Sequence, residues 1–257
     1  MRLDRYLANS GVGTRSEVKT YIRKKQIRVN GELVKSSSLN IDEKKDIVTF
    51  NDDVVAYKEF YYLLLNKPKG YVSAVEDNVY PPVTDLVSEY AFANLFPVGR
   101  LDVDTTGTLL LTNDGDLCHK LLSPKYHVDK TYSVTTDLEI KQSLIKHFKD
   151  GIILDGEKTL PGDLVILDSN HAELTIHQGK FHQVKRMFQH FGLKVTELDR
   201  KAFAFLDSEG VELSKYRELS EEEVEQLSRK GAVGDLFTHV IDINGKIVDK
   251  NLDDRTV

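Results

Sequence analysis

The chain has 257 residues, 40% of them apolar and 30% charged, with a formal net charge of -6 and a single cysteine, Cys118. That length suits one large domain, or a medium domain joined to a small one. A lone thiol excludes an intrachain disulfide and a thiolate metal site, and no charge-poor apolar run approaches the length of a membrane-spanning helix.

The opening MRLDRYLANSGVG lacks the apolar core and small-residue cleavage site of an export signal, so a cytoplasmic protein is expected. Arg2 to Asn9 reads as a short helix with Leu3 and Leu7 on one face, ended by Gly11 and Gly13. Thr14 followed by Glu17 predicts a capping box, and Val18, Tyr21 and Ile22 form an apolar stripe at helical spacing. Arg15, Lys19 and Arg23 then fall on one side of that second helix. QIRVNGELV predicts two strands about an Asn-Gly turn, and DIVTF a further strand near residue 50.

Charge is unevenly placed along the chain. Residues 1–28 hold eight Lys/Arg against two acids, a net +6, which leaves -12 on the remainder. A basic module on an acidic body suits local phosphate binding. A solvated helix face has the same composition, and Lys19 in particular fits that reading. Two helices with a cationic ridge followed by a small hairpin sheet resemble the S4 RNA-binding domain, and RLDRYLANSGVGTRSEVKTYIRKKQIRVNG carries the resemblance. It implies that Arg2, Arg5, Arg15, Arg23, Lys24 and Lys25 touch RNA phosphates, contacts that position RNA without reading its sequence. A first domain is thus expected over residues 1–58.

NDDVVAYKE (51–59) is polar and reads as the connection to a second domain, residues 59–227. YYLLLNKPKGYVSA runs as a strand into a turn. In FPVGRLDVDTTGTLLLTNDG (96–115), Arg100, Asp102 and Asp104 occupy a loop before the strand TLLLT. Two carboxylates at that spacing are compatible with paired acid/base groups, with a metal site, or with a loop whose aspartates only satisfy backbone donors. The absence of a nearby histidine disfavours the metal. Downstream, TYSVTT alternates as a strand, LEIKQSLIKHF (138–148) has helical spacing, and GKFHQVKRMFQHFG reads as a loop entering a helix stopped by Gly192. SEEEVEQLSRKG (220–231) predicts a capped acidic helix. HVIDINGKIVDK suggests a hairpin within a C-terminal extension, 228–257, that docks on the body.

GRLDVDTTGTLLLTNDG, with YYLLLNKPKGYVSA before it and HKLLSPKYHVDKTYSV and GKFHQVKRMFQHFG after it, resembles the RsuA-type pseudouridine synthases. Four separated motifs stand in that family's order, and with the S4 module they reach to about residue 227. The resemblance implies an α+β fold, a mixed and largely antiparallel sheet with peripheral helices, and isomerisation of uridine to pseudouridine without cofactor or metal. It makes Asp102 the catalytic aspartate, Tyr132 the active-site tyrosine and Lys185 the basic partner of Asp102. Stacking on the base is the safer role for Tyr132, since an ordinary phenol is a poor base near neutral pH. Asp104 falls at a variable position and is expected to be loop structure. Arg100 is expected to help extrude the target nucleotide or to brace its loop. Lys67, Lys69, Lys180 and His182 are expected at the rim as RNA contacts, with Arg186 a further RNA contact. His119, His127 and His177 are expected to be ordinary polar residues.

The chain departs from the family pattern at Thr108, where leucine is usual, and at Pro161, Gly162, Asp163, Leu164 and Val165. After LDR (198–200) the familiar segment is altered. DVDTTG and SPKYHVDKTY look more like the small-subunit than the large-subunit ribosomal RNA enzymes, so small-subunit (16S) RNA in a partly assembled particle is the expected partner of a monomeric enzyme. A large-subunit target is the alternative within the class. A noncatalytic assembly protein that binds RNA, or a hydrolase that releases free uracil, are the alternatives outside it.

Overall fold

In the computed structural model the described residues are 1–230, together with the backbone of two short strands at 240–241 and 247–248. The first unit begins with helices α1 (Leu3–Asn9) and α2 (Arg15–Arg23). The Thr14 hydroxyl accepts from the Glu17 amide, and the Glu17 carboxylate accepts from the Thr14 amide at 2.7 Å, which satisfies donors a bare helix start would leave open. Strands β1 (Ile27–Val29), β2 (Glu32–Leu33), β3 (Val48–Phe50) and β4 (Asp53–Val54) follow, ordered β2-β1-β3-β4. Asn30 and Gly31 both take positive φ (52° and 80°), as the tight turn between β1 and β2 requires. β4 lies inside the segment expected to be only a linker, because Asn51 and Asp52, also at positive φ, turn the chain back onto β3. Leu3, Tyr6, Leu7, Val18, Ile22, Ile27 and Val48 make this unit's own core.

The second unit is an α+β body around a nine-stranded, mostly antiparallel sheet. Its strands are β5 (Tyr62–Lys67), β6 (Phe96–Pro97), β7 (Thr106–Thr112), β8 (Lys130–Thr136), β11 (Gly162–Ile166), β12 (His171–Ile176), β13 (Val195–Phe203), β14 (Leu206–Asp207) and β15 (Tyr216–Glu218). A separate hairpin pairs β9 (Ile153–Leu154) with β10 (Glu157–Lys158). The main path runs β11-β12-β8-β13-β7-β5-β15, with β14 on β13 and β6 on β7. The one parallel pairing in this sheet is β13 with β7, Asp199 opposite Thr106 and Arg200 opposite Gly107.

Helices α3 (Gly115–Leu122), α4 (Leu144–Asp150), α5 (Gln183–Gln189) and α6 (Glu221–Lys230) lie around the sheet. α4 starts six residues later than the sequence spacing suggested, since 138–143 is taken up by turns. Both faces of the sheet are covered. Leu63, Leu65, Leu109, Leu111, Val134, Phe148, Leu174 and Phe188 pack on one, and Leu64, Leu110, Leu117, Phe203 and Leu227 on the other. Alternate leucines of YLLLNK and TGTLLLT therefore serve opposite cores, which explains why these two strands read as near-continuous apolar runs.

Thr108 is fully buried, and its hydroxyl donates to the Lys201 carbonyl at 2.9 Å, so the departure from leucine is accommodated by a bond to β13. At the C-terminus Val240–Ile241 pairs antiparallel with Ile247–Val248. The expected docking of the 228–257 extension on the body lies outside the described residues beyond 230. No helix among the described residues is long and apolar enough to cross a membrane.

Candidate active site

The loop from Gly99 to Thr105 is held from below by the KPKG turn. Lys67, at the end of β5, is 0% exposed, and its ammonium donates to the carbonyls of Pro68 (3.0 Å), Asp102 (3.0 Å) and Thr105 (2.8 Å). Three donors meet three acceptors, so the charge is buried but fully hydrogen-bonded. Burial pushes its pKa down to about 8 against the pull of Asp104 and Asp102. Lys67 is therefore not the rim RNA contact expected from the sequence. It is an internal clamp on the loop that carries Asp102, because its stem follows a strand buried on both faces.

Further bonds fix the same loop. The Gly70 amide donates to the Val103 carbonyl at 2.8 Å, and the Ser73 hydroxyl bridges the amide and carbonyl of Leu101. Gly107 sits at φ 102°, where an added Cβ would lie 2.4 Å from the Arg200 carbonyl oxygen, so only glycine lets β7 approach β13 this closely.

Above the clamp lies an open cleft of about 760 Å³, lined by Arg100, Asp102, Asp104, Lys130, Tyr132, Lys180, Phe181, His182, Lys185 and Arg200 among others. The Lys185 ammonium donates to Asp102 Oδ2 at 2.8 Å and to Asp104 Oδ1 at 2.6 Å. Partial burial opposes its charge, but the two carboxylates outweigh that and raise its pKa. Asp104 feels an upward push from desolvation that its hydrogen bond and charge contact with Lys185 overcome, so its carboxyl lies below the ordinary value. Asp104, expected to be loop structure alone, thus shares the cation of Asp102. His182 Nε2 stands 3.4 Å from Asp102 Oδ1, closer to that carboxylate than a rim position implied.

Tyr132, on β8, is 7% exposed and faces the cleft; its hydroxyl has no hydrogen-bond partner among the described residues. Arg100 is exposed on the cleft wall and is in no ion pair among the described residues. Lys180 on the cleft wall and the exposed Lys69 pair with Glu157 (2.6 Å) and Glu197 (3.3 Å). Arg186 turns away from the cleft to Asp155 at 2.5 Å, which separates it from its neighbour Lys185.

On the first unit, Arg15, Arg23, Lys24 and Lys25 are exposed and in no ion pair among the described residues. Arg2 differs. Its guanidinium donates to both oxygens of the buried Asp4 (3.1 and 2.7 Å), and that bond leads the causes that lower the Asp4 pKa, so its charge is already partnered within the fold. Arg5 is exposed and faces a small polar recess between the two units, beside Asn9, Glu59 and Asn113. The sequence reading passed over three residues of the cleft. Lys130 in KTY and Arg200 in LDR are buried cations on its wall, and Phe181 is a 76% exposed ring stacked on His182 at 3.8 Å. The KTY and LDR motifs had drawn attention, but only the pairing of β8 with β13 brings their cations together.

A family model for RNA pseudouridylate synthases matches residues 61–190, and a model for the S4 domain matches residues 1–53. A third model, described as a putative sugar-binding domain, matches residues 208–257, of which 231–239, 242–246 and 249–257 lie outside the described residues. Ribosomal small subunit pseudouridine synthase A from Haemophilus influenzae is 41% identical over 88% of this chain and 99% of its own length. Ribosomal large subunit pseudouridine synthase B from Bacillus subtilis is 35% identical over 88% of this chain and 95% of its own. A crystal structure of a pseudouridylate synthase, 39% identical, superposes with a TM-score of 0.62 over 88% of this chain and 99% of that one.

Proposed function

The chain belongs to the RNA pseudouridylate synthase family, and from that premise we propose that it isomerises uridine to pseudouridine in small-subunit ribosomal RNA. The observation that carries the chemistry is the Lys185 ammonium 2.8 Å from Asp102 in a cleft that Tyr132 also lines. The cation pairs with and orients a carboxylate where an electron-poor ribose or pyrimidine carbon must be met. Tyr132 offers a ring against which an extruded uracil can stack, and Arg100 an exposed guanidinium to fill or hold open the gap the base leaves. Arg15, Arg23, Lys24 and Lys25, in no ion pair among the described residues, supply exposed cations for phosphates. Arg5 stands exposed as a further candidate, while Arg2, Lys69, Lys180 and Arg186 must release an acidic partner before they can serve an RNA.

The small-subunit assignment draws support from the 41% identical relative named for that RNA. The large-subunit reading is kept as second because a 35% identical relative is named for the other RNA. A monomer acting in the cytoplasm on a partly assembled particle completes the proposal. The test uses C5-tritiated ribosomal RNA of each subunit, naked or assembled with early ribosomal proteins. Tritium release confined to the small-subunit samples is expected, and release only from large-subunit RNA overturns the assignment while leaving the chemistry intact.

A further inference from the structure

Three cations are buried beside this cleft, and they are not equivalent. Lys67 does not line the cleft, and each of its three donors has a carbonyl. Lys130 and Arg200 do line it, and their donors are left over. Lys130, 8% exposed, donates only to the Val128 carbonyl at 2.9 Å. Arg200, 1% exposed, donates through Nε to the Thr108 carbonyl at 2.8 Å, while its buried Nη2 has no partner among the described residues. Neither is in an ion pair among the described residues. Both lie over the ring of Phe203, at 5.7 and 5.1 Å, an attraction that offsets only part of the cost of holding two charges out of water. Burial leads the causes that bring Lys130 down to about 8, with Arg200 adding to them.

A core built only for stability would saturate such donors, as it does at Lys67, or replace them with apolar groups. The surplus falls on the two cations that share the cleft with Tyr132, and Tyr132 is the direct cross-strand neighbour of Arg200. We infer that Lys130 and Arg200 form a cationic floor that binds the carbonyl edge of the target uracil and stabilises the base as an anion after it separates from the ribose. This rests on the function proposed above. In that reaction the bond from C1′ to N1 breaks with its electron pair on the base, leaving an electron-poor C1′ opposite Asp102. The ring turns, C5 supplies the pair for the new bond to C1′, the C5 proton leaves and N1 gains one, so no oxidant or reductant is needed. Should Asp102 instead add first to the pyrimidine ring, the negative charge still develops on the ring and its carbonyl oxygens. A preorganised donor aimed at developing charge is the arrangement that accelerates such a step, because it need not reorient as the charge forms.

The experiment compares full-length protein with Arg200→Met and Lys130→Met on the same small-subunit RNA, transcribed with uridine or with 5-fluorouridine. Loss of the N-glycoside at the target is followed under single turnover. Fluorine at C5 stabilises the departing base by itself, so that substrate needs the floor less. Uridine is expected to slow by about 10²-fold in either variant, the scale set by removing one donor from a developing anion. The 5-fluorouridine substrate is expected to slow about ten-fold less. A merely structural role would slow both substrates equally, and that result, or unimpaired conversion of uridine by a folded variant, overturns the inference. If Arg200→Met does not fold, Lys130→Met decides by the same ratio. Wild-type protein that converts neither substrate, nor large-subunit RNA, would defeat the proposed function and this inference together; an unchanged ratio with active wild type defeats the inference alone.

Discussion

Replacing Lys67 with methionine keeps most of the buried stem and removes the ammonium that clamps the Asp102 loop. Three carbonyls lose the lysine; that of Asp102 retains the Thr105 amide at 3.1 Å, which leaves those of Pro68 and Thr105 without their donor. Each buried carbonyl left without a donor costs about 1–3 kcal/mol, or about 2–6 kcal/mol for both. The charge itself is unfavourable in its site. A lysine brought from 10.5 to about 8 by burial costs about 3 kcal/mol at neutral pH, which the substitution removes. The net loss of stability at pH 7 is therefore at most about 3 kcal/mol.

Activity should fall further, by about 10²-fold, since a carboxylate displaced by a fraction of an ångström leaves its reactive geometry. The folded pKa of Lys67 is below its unfolded value, so between pH 8 and 10.5 the unfolded chain holds a proton that the folded chain has lost. Raising pH through that window stabilises the wild type by up to about 3 kcal/mol from this group, and that gain is absent in the variant. Urea melts at pH 7 and pH 9.5, with single-turnover assays at pH 7, measure both effects. A wild-type-to-variant stability gap that does not widen with pH, or full activity in the variant, would refute the clamp.

Lys185→Met should lower the single-turnover rate by about 10²–10³-fold, with Lys185→Arg intermediate, because Asp102 and Asp104 then face each other without their shared cation. The depressed Asp104 pKa adds stability present above the ordinary carboxylate value and lost as pH falls through the folded one. Acid melts should show a small gap between wild type and Lys185→Met that closes at low pH, small because Asp104 is 70% exposed. Gly107→Ala forces a Cβ to 2.4 Å from the Arg200 carbonyl oxygen at a positive φ, and should cost about 3 kcal/mol or more in a urea melt. Replacing Arg15, Arg23, Lys24 and Lys25 together with alanine should leave the saturated rate intact, weaken RNA binding, and flatten the salt dependence by up to about 3 to 4 in log–log slope. An unchanged slope in binding titrations would remove these four from the phosphate contacts.

The short-range features were readable from the sequence because neighbours in the chain enforce them. Thr14 and Glu17 cap the helix they begin, and Asn30-Gly31 turns the hairpin it sits in. Asp102, Tyr132 and Lys185 came from their motif contexts, and the fold brings all three to one cleft. What stayed hidden depends on distant parts of the chain. A lysine ending the strand YLLLNK looks like any surface cation until the carbonyls of residues 102 and 105 are seen to enclose it. Arg200 reads as polar punctuation in LDR, and only pairing with β8 and β7 buries it. β4 was hidden in a polar linker because the strand it completes belongs to an exposed edge, where side-chain pattern is weak.

The central claim is that Asp102 drives isomerisation in the cleft it shares with Tyr132 and Lys185, and its direct test is Asp102→Asn on a C5-tritiated ribosomal RNA that wild type converts. The exchange removes the charge and keeps the shape. The account predicts stoichiometric tritium release with a pseudouridine product for wild type, and neither for a variant that binds the RNA and melts as the wild type does. Tritium release by Asp102→Asn at the wild-type rate would contradict it.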